Sequence, residues 1–164
     1  SVICGKKVIK NSDEVYDLMK KLVDEMERRY KILDSNKVAK NNQLKEPLSN
    51  VVVVIDEVAD LFASNKNIED LIIRIAQKGR ASGIFLILAT QTPNSEILSQ
   101  NLRANIPTRI ALKTISSPQS KVIMDEVGAQ NLLGKGDLYI KINGGKKILA
   151  FAPFIDNSEI RDLV

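Results

Sequence analysis

Val51-Val52-Val53-Val54-Ile55 constrains this chain more than any other stretch: five consecutive β-branched residues with no polar alternation. Such a run suits a strand buried on both faces, as in parallel sheets flanked by helices. It ends in two adjacent carboxylates, Asp56 and Glu57. Ligands of open α/β sheets bind at the carboxyl edge of the strands, so the pair stands where a site is expected. A second apolar run, Ile84 to Ala89, ends in Thr90-Gln91-Thr92-Pro93. Between the runs, Leu71, Ile72, Ile75 and Ala76 predict a helix over 68–82 that Gly83 stops. Strand, helix, strand opens an α/β pattern with a parallel sheet between helix layers.

The rest of the chain extends that pattern. Val15, Leu18, Met19, Leu22, Val23, Met26, Tyr30 and Leu33 form the apolar stripe of one helix over 11–35, with Asn11 and Glu14 spaced as a capping box. The polar stretch 34–50, with Pro47 near its end, reads as an exposed loop. Ser95 is placed to cap a short helix through Leu102, and 108–113 reads as a third strand. Ser117-Pro118 opens a helix to about Val127, and 137–142 with 147–152 form a hairpin across Asn143-Gly144-Gly145-Lys146.

Composition excludes several chemistries. The 164 residues contain no histidine and one cysteine, Cys4. Histidine catalysis, Ser-His-Asp triads, ordinary zinc sites and an internal disulfide framework are thereby ruled out. No apolar run reaches the roughly 18 residues of a membrane helix, and residues 1–10 lack the pattern of a signal peptide. The net charge of +4 is compatible with nucleic acid. Aromatic residues are only 4%, with no tryptophan, so any DNA would be held through its phosphates and not by base stacking.

The strand-end acids suit nucleotide hydrolysis. Asp56 can hold Mg²⁺ through its water shell, and Glu57 can orient and polarise the attacking water. The plainer alternative is a strand that ends in solvated acids, which help cap the next segment. Gln91 can hydrogen-bond the attacking water or the phosphate, or else belong to an ordinary polar turn. Arg28 and Arg29 read either as a solvated face offset by Glu25 and Glu27, or as an arginine finger reaching a neighbouring subunit. Arg74 and Lys78 share one helix face, which serves a subunit interface or faces water. No Gly-x-x-x-x-Gly-Lys-[Ser/Thr] occurs anywhere. Gly5-Lys6-Lys7 lacks the upstream glycine and the hydroxyl residue. Gly128 to Gly136 has a spacer one residue too long and lies between a helix and a strand, the wrong polarity for a phosphate loop.

The stretches EMERRY (25–30), VVVVIDEVADL (51–61), LIIRIAQKGRASGIFLILATQTP (71–93), NLRANIPTRIALK (101–113) and VGAQNLLGKGDLY (127–139) resemble the motor domain of FtsK/SpoIIIE-type DNA translocases in order and separation. The resemblance implies a three-layer α/β, RecA-like P-loop ATPase fold with a largely parallel sheet. Residues 1–164 would be a single partial motor domain that begins after the phosphate loop, leaving apolar sheet edge exposed, with the polar loop at about 34–50. ATP and Mg²⁺ are the implied cofactors, with Asp56 and Glu57 on the Walker B acids and Gln91 on the polar sensor. Arg28 or Arg29 falls where related motors supply an arginine to the adjacent subunit. The implied partners are double-stranded DNA and further copies of the protein in a ring, usually a hexamer, in the cytoplasm. Membrane attachment would come only through regions outside this chain. Candidate DNA loops are 94–99 and 115–121, for which helix capping is the plainer reading. This chain alone is expected to turn over little ATP. The alternatives are the ATPase of a protein-secretion motor of the same superfamily and a remnant that no longer hydrolyses.

Overall fold

The computed structural model describes residues 2–4 and 7–162; Gly5 and Lys6 of the rejected Gly5-Lys6-Lys7 candidate lie outside them. The chain divides into two compact units. The first runs to Thr92 and includes 99–105; the second comprises 93–98 and everything from Ile106 onward.

The first unit contains β1 (Val2–Cys4), β2 (Lys7–Ile9), α1 (Ser12–Ser35), β3 (Val51–Ile55), α2 (Val58–Ser64), α3 (Asn67–Ser82), β4 (Ile84–Leu88) and α4 (Gln100–Asn105). Its sheet has the order β2-β1-β3-β4. β3 and β4 run parallel, from Val51 opposite Ile84 to Ile55 opposite Leu88, while β1 is antiparallel to both β2 and β3. The expected largely parallel sheet is thus reduced, among the described residues, to one parallel pair. Connection length gives the reason. β3 and β4 are joined through α2 and α3, long enough for a crossover, whereas β1 and β2 are separated by only two residues.

Burial of β3 and β4 also differs from expectation. Val53, Ile55 and Ile84 are covered, but Val52 is 52% exposed and, on the same face, Phe85 is 39% and Ile87 is 54% exposed. In β3 and β4 one face is packed and the other is largely exposed, with Val54 half-buried among these residues. α1 carries the foreseen stripe, with Val15, Met19, Leu22, Val23, Met26 and Leu33 buried and Asn11 accepting from the Asp13 and Glu14 N–H groups at its start. α3 packs on α1 and on β4. Its Gly79 has a physical reason: a Cβ there would stand 2.6 Å from the Ile84 carbonyl oxygen, so only glycine permits this approach of helix to strand. The loop over 34–50 is not merely exposed. Asn41 is buried and clamps it, donating to the Leu48 carbonyl at 2.7 Å and accepting from the Leu48 N–H at 2.9 Å.

The second unit contains β5 (Arg109–Ala111), α5 (Ser117–Met124), β6 (Asp137–Lys141), β7 (Ile148–Phe151) and α6 (Asn157–Asp162). Its sheet, β5-β6-β7, is antiparallel throughout, and the β6–β7 hairpin is the one expected. The third strand therefore pairs in this antiparallel sheet and not in the sheet of the first unit. Ala111, Met124, Ala129 and Leu132 form the core, with Ile123 and Tyr139 against it. α5 stops at Asp125, whose φ of 59° ends the helix before Val127. The Ser95 cap is also corrected. Asn94 accepts from the Glu96 and Ile97 N–H groups, and in the first unit Ser99 accepts from the Leu102 N–H at the start of α4. Among the described residues no helix is long and apolar enough to cross a membrane.

Candidate functional site at the ends of the parallel strands

The β3–β4 register carries two residues past the strands, so Glu57 falls opposite Thr90. Main-chain bonds continue the pairing there: the Ala89 N–H donates to the Ile55 carbonyl at 2.8 Å, and the Val58 N–H to the Ala89 carbonyl at 3.0 Å. Between these bonds the Glu57 carboxylate is held from both sides. Its Oε1 accepts from the Ala59 N–H at 3.1 Å and from the Thr90 hydroxyl, and its Oε2 accepts from the Gln91 N–H at 2.7 Å. The capping reading of the acid is realised. Glu57 caps α2, and it is also fixed at the carboxyl edge of the parallel pair.

The electrostatics derive from those contacts. Burial pushes the Glu57 carboxyl upward, but the Gln91 N–H, the Thr90 hydroxyl and the Ala59 N–H together hold it below the ordinary carboxylate value. It is therefore an anion at neutral pH. Asp56, the residue before it, is exposed and has no hydrogen bond or ion pair among the described residues. A single exposed carboxylate of this kind fits a Mg²⁺ ion that keeps most of its water and takes its other ligands from phosphates. Gln91 contributes its backbone to Glu57, while its side chain is exposed at the strand end.

Arg28 and Arg29 are not brought to this edge. Both reach Glu25, Arg28 with two hydrogen bonds of 2.6 and 2.8 Å and Arg29 with one of 2.7 Å. Arg29 is buried and also donates to the Ser82 carbonyl at 2.9 Å, just before β4 begins. Ser82 and Thr90 stand at opposite ends of β4. The two arginines differ sharply in exposure: the Arg28 side chain is 56% exposed and the Arg29 side chain 7%. Glu25 is held down to a pKa of about 2, first by the Arg28 hydrogen bond, against burial, and then by Arg29. Arg74 and Lys78 both face Glu27 of α1, at 2.9 and 3.8 Å, and the Tyr30 hydroxyl donates to the Lys78 carbonyl. Within the chain the pair joins α3 to α1, with both side chains still half exposed.

Thr90 is the site residue that sequence reasoning missed. The signal was available in the two apolar runs, since aligning them as parallel neighbours sets a hydroxyl opposite the second acid. The Gly128–Gly136 segment leads into β6 and not into a helix, which agrees with its exclusion as a phosphate loop. Of the candidate DNA loops, 94–99 is occupied with local capping through Asn94, and 115–121 has the Ile115 N–H donating to Gln119.

The sequence profile of the FtsK/SpoIIIE family matches residues 38–95, from the Asn41-clamped loop to the turn that grips Glu57. The DNA translocase FtsK of Streptococcus agalactiae serotype V is 38% identical over 173 residues, covering 96% of this chain and 21% of that protein. The DNA translocase SftA of Bacillus subtilis is 40% identical over 168 residues, covering 96% of this chain and 18% of that protein. The chain spans about a fifth of the length of these relatives. Among solved structures, the pCW3 conjugation coupling protein TcpA in its monomer form with ATPγS matches with a TM-score of 0.85 and 27% identity, over 93% of this chain and 48% of that one. The cytoplasmic domain of the type VII secretion ATPase EccC of Thermomonospora curvata matches with a TM-score of 0.73 at 24% identity, over 95% of this chain and 21% of that one, a likeness of fold alone. The fold is that of P-loop ATPase motor domains of the RecA-like class.

Proposed function

The chain carries a domain of FtsK/SpoIIIE type, and on that premise we propose that it is part of an ATP-driven translocase that moves double-stranded DNA through a homo-oligomeric ring. The observation that carries the chemistry is the Glu57 carboxylate, fixed as an anion by Thr90, Gln91 and Ala59 beside an exposed Asp56. Asp56 would hold Mg²⁺, which when bound neutralises charge on the phosphates of ATP. Glu57 orients a water for attack and takes up its proton. Gln91, with its amide exposed at the same edge, hydrogen-bonds the water or the terminal phosphate. The lysine and backbone cradle of a phosphate loop are not among the motifs of this sequence, so none of these residues is assigned to gripping the β-phosphate.

Arg28 is the arginine that suits action in a neighbouring subunit. Both arginines bond Glu25, but the Arg28 guanidinium is exposed, whereas that of Arg29 is buried and also donates to the Ser82 carbonyl. Ring assembly, the hexamer and a cytoplasmic motor remain parts of this same proposal, supported by the likeness to DNA translocases.

The test is ATP turnover by the intact gene product containing this chain, with and without duplex DNA, beside its Glu57→Gln variant. DNA-stimulated turnover that the substitution abolishes, with ATP binding retained and stimulation falling steeply with salt, is the expected result. Turnover indifferent to DNA would transfer the reading to a secretion motor. A protein that binds ATP without hydrolysing it would be a non-catalytic ring component.

A further inference from the structure

The hydroxyl of Thr90 is polarised in one direction. It accepts from the Thr92 N–H at 3.1 Å, and its own proton is donated to Glu57 Oε1. Thr92 N–H, Thr90 hydroxyl and Glu57 carboxylate thus form a relay in which each hydrogen bond strengthens the next. The next residue, Gln91, uses its N–H on the other carboxylate oxygen. The turn 90–92 therefore holds Glu57 through three consecutive residues.

The acceptor count of the carboxylate is informative. An ionised carboxylate has about four acceptor sites. Oε1 has two partners, Ala59 and Thr90, while Oε2 has one, Gln91. One site, on Oε2, is left for a water. Removing the Thr90 hydroxyl would open a second site on Oε1 and let the carboxylate turn about its last bond.

We propose that Thr90 is a positioning residue for ATP hydrolysis: its hydroxyl saturates Glu57 Oε1 and so makes Oε2 the oxygen that meets the attacking water. This rests on the reading of Glu57 as the water-orienting carboxylate. The Thr90 hydroxyl is committed to Glu57 and the Thr92 N–H, so the role assigned to it lies in the rate of the chemical step and not in substrate binding.

The experiment compares Thr90→Val, which keeps the shape of the side chain, Thr90→Ser, which keeps the hydroxyl, and Glu57→Gln in the intact gene product with saturating duplex DNA. Thr90→Val is expected to lower kcat by roughly 10- to 100-fold, the scale of a small misplacement of a reacting group, with KM for ATP unchanged. Thr90→Ser is expected to restore kcat to within about threefold of the parent. Amide hydrogen exchange without nucleotide supplies a readout independent of turnover. The segment over 90–92 should exchange faster in Thr90→Val, where the Thr92 N–H has lost its acceptor, and stay protected in Thr90→Ser. A Glu57-dependent protein in which Thr90→Val keeps its kcat, or in which Thr90→Ser is as impaired as Thr90→Val, overturns this inference alone. A parent in which Glu57→Gln loses nothing overturns the site reading, and this inference with it.

Discussion

The two neighbouring arginines of α1 should separate cleanly into a structural and a functional residue. Arg29→Met removes the donor to the Ser82 carbonyl, in a buried setting, and one partner of the half-buried Glu25. A hydrogen bond from a charged donor contributes about 1.5–3 kcal/mol, and the stranded carbonyl adds its own desolvation cost. Glu25 keeps Arg28, so the ion-pair part of the loss is small, and the whole comes to about 2–4 kcal/mol. At an m-value of roughly 2 kcal/mol/M, the urea midpoint of the 164-residue chain, followed by circular dichroism, should fall by about 1–2 M. Arg28→Met removes two bonds to Glu25 but from an exposed side chain, and should lower that midpoint by less than Arg29→Met does, by no more than about 0.5 M. Function should divide the opposite way. In the intact gene product, Arg28→Met and Glu57→Gln subunits should each be inactive alone. Mixed one to one, about a quarter of junctions would join an intact Glu57 to an intact Arg28 of the neighbour, and turnover should recover in proportion. An Arg29→Met chain as stable as Arg28→Met would refute the burial argument. Mixed subunits that stay inactive would refute the assignment of Arg28 to the neighbouring site.

Three further outcomes depend on single contacts. Glu25, depressed to about 2 in the folded chain from an ordinary 4.5, contributes stability that is complete above pH 4.5 and disappears as the pH falls toward 2. The difference in urea midpoint between the parent and Glu25→Gln should therefore be largest at neutral pH and shrink through that window; a constant difference would sink the ion-pair account. Asn41→Ala removes both bonds to Leu48 and should open 42–48 to limited proteolysis ahead of the rest of the chain, with a loss of about 1–3 kcal/mol in urea. Gly79→Ala must push α3 off the Ile84 carbonyl and should cost about 1–3 kcal/mol, whereas a gain in stability, as expected of an unconstrained helical glycine, would show that the approach is relaxed.

What the sequence made legible were features with strong local causes. The α1 stripe, the two apolar strands, Gly83 as the stop of α3 and the final hairpin all carry their own signals, and the structure has them within a residue or two. β1 and β2 were missed because three-residue strands carry no period to detect. α2 was missed because its seven residues are too few to show a helical period, even though capping by the strand-end acids was one of the readings. Asp56 and Glu57 could be found from their place after a strand, but what grips Glu57 could not, since Thr90 is 33 residues away and only the parallel register brings it close. Arg28 and Arg29 were inseparable for a related reason. Adjacent positions on a helix lie about 100° apart, and which one is buried depends on where α3 lies.

The largely exposed sheet face is the sharpest conflict between pattern and fold. A strand that works half-solvated alternates apolar with polar residues, because each solvent-facing position gains nothing from an apolar side chain. β3 has no such alternation, nor does β4, yet Val52, Phe85 and Ile87 all stand on the uncovered side. The second sheet repeats the conflict, with Ile110, Ile142 and Ile148 exposed and only Leu138, Ile140 and Ala150 partly covered around them. Composition records what a strand buries in its working setting, whereas exposure records what these residues cover by themselves. The site stands at the end of the strands where the two disagree. Its rigidity in this chain therefore depends on main-chain bonds and the Thr90–Gln91 turn and not on packing from both sides.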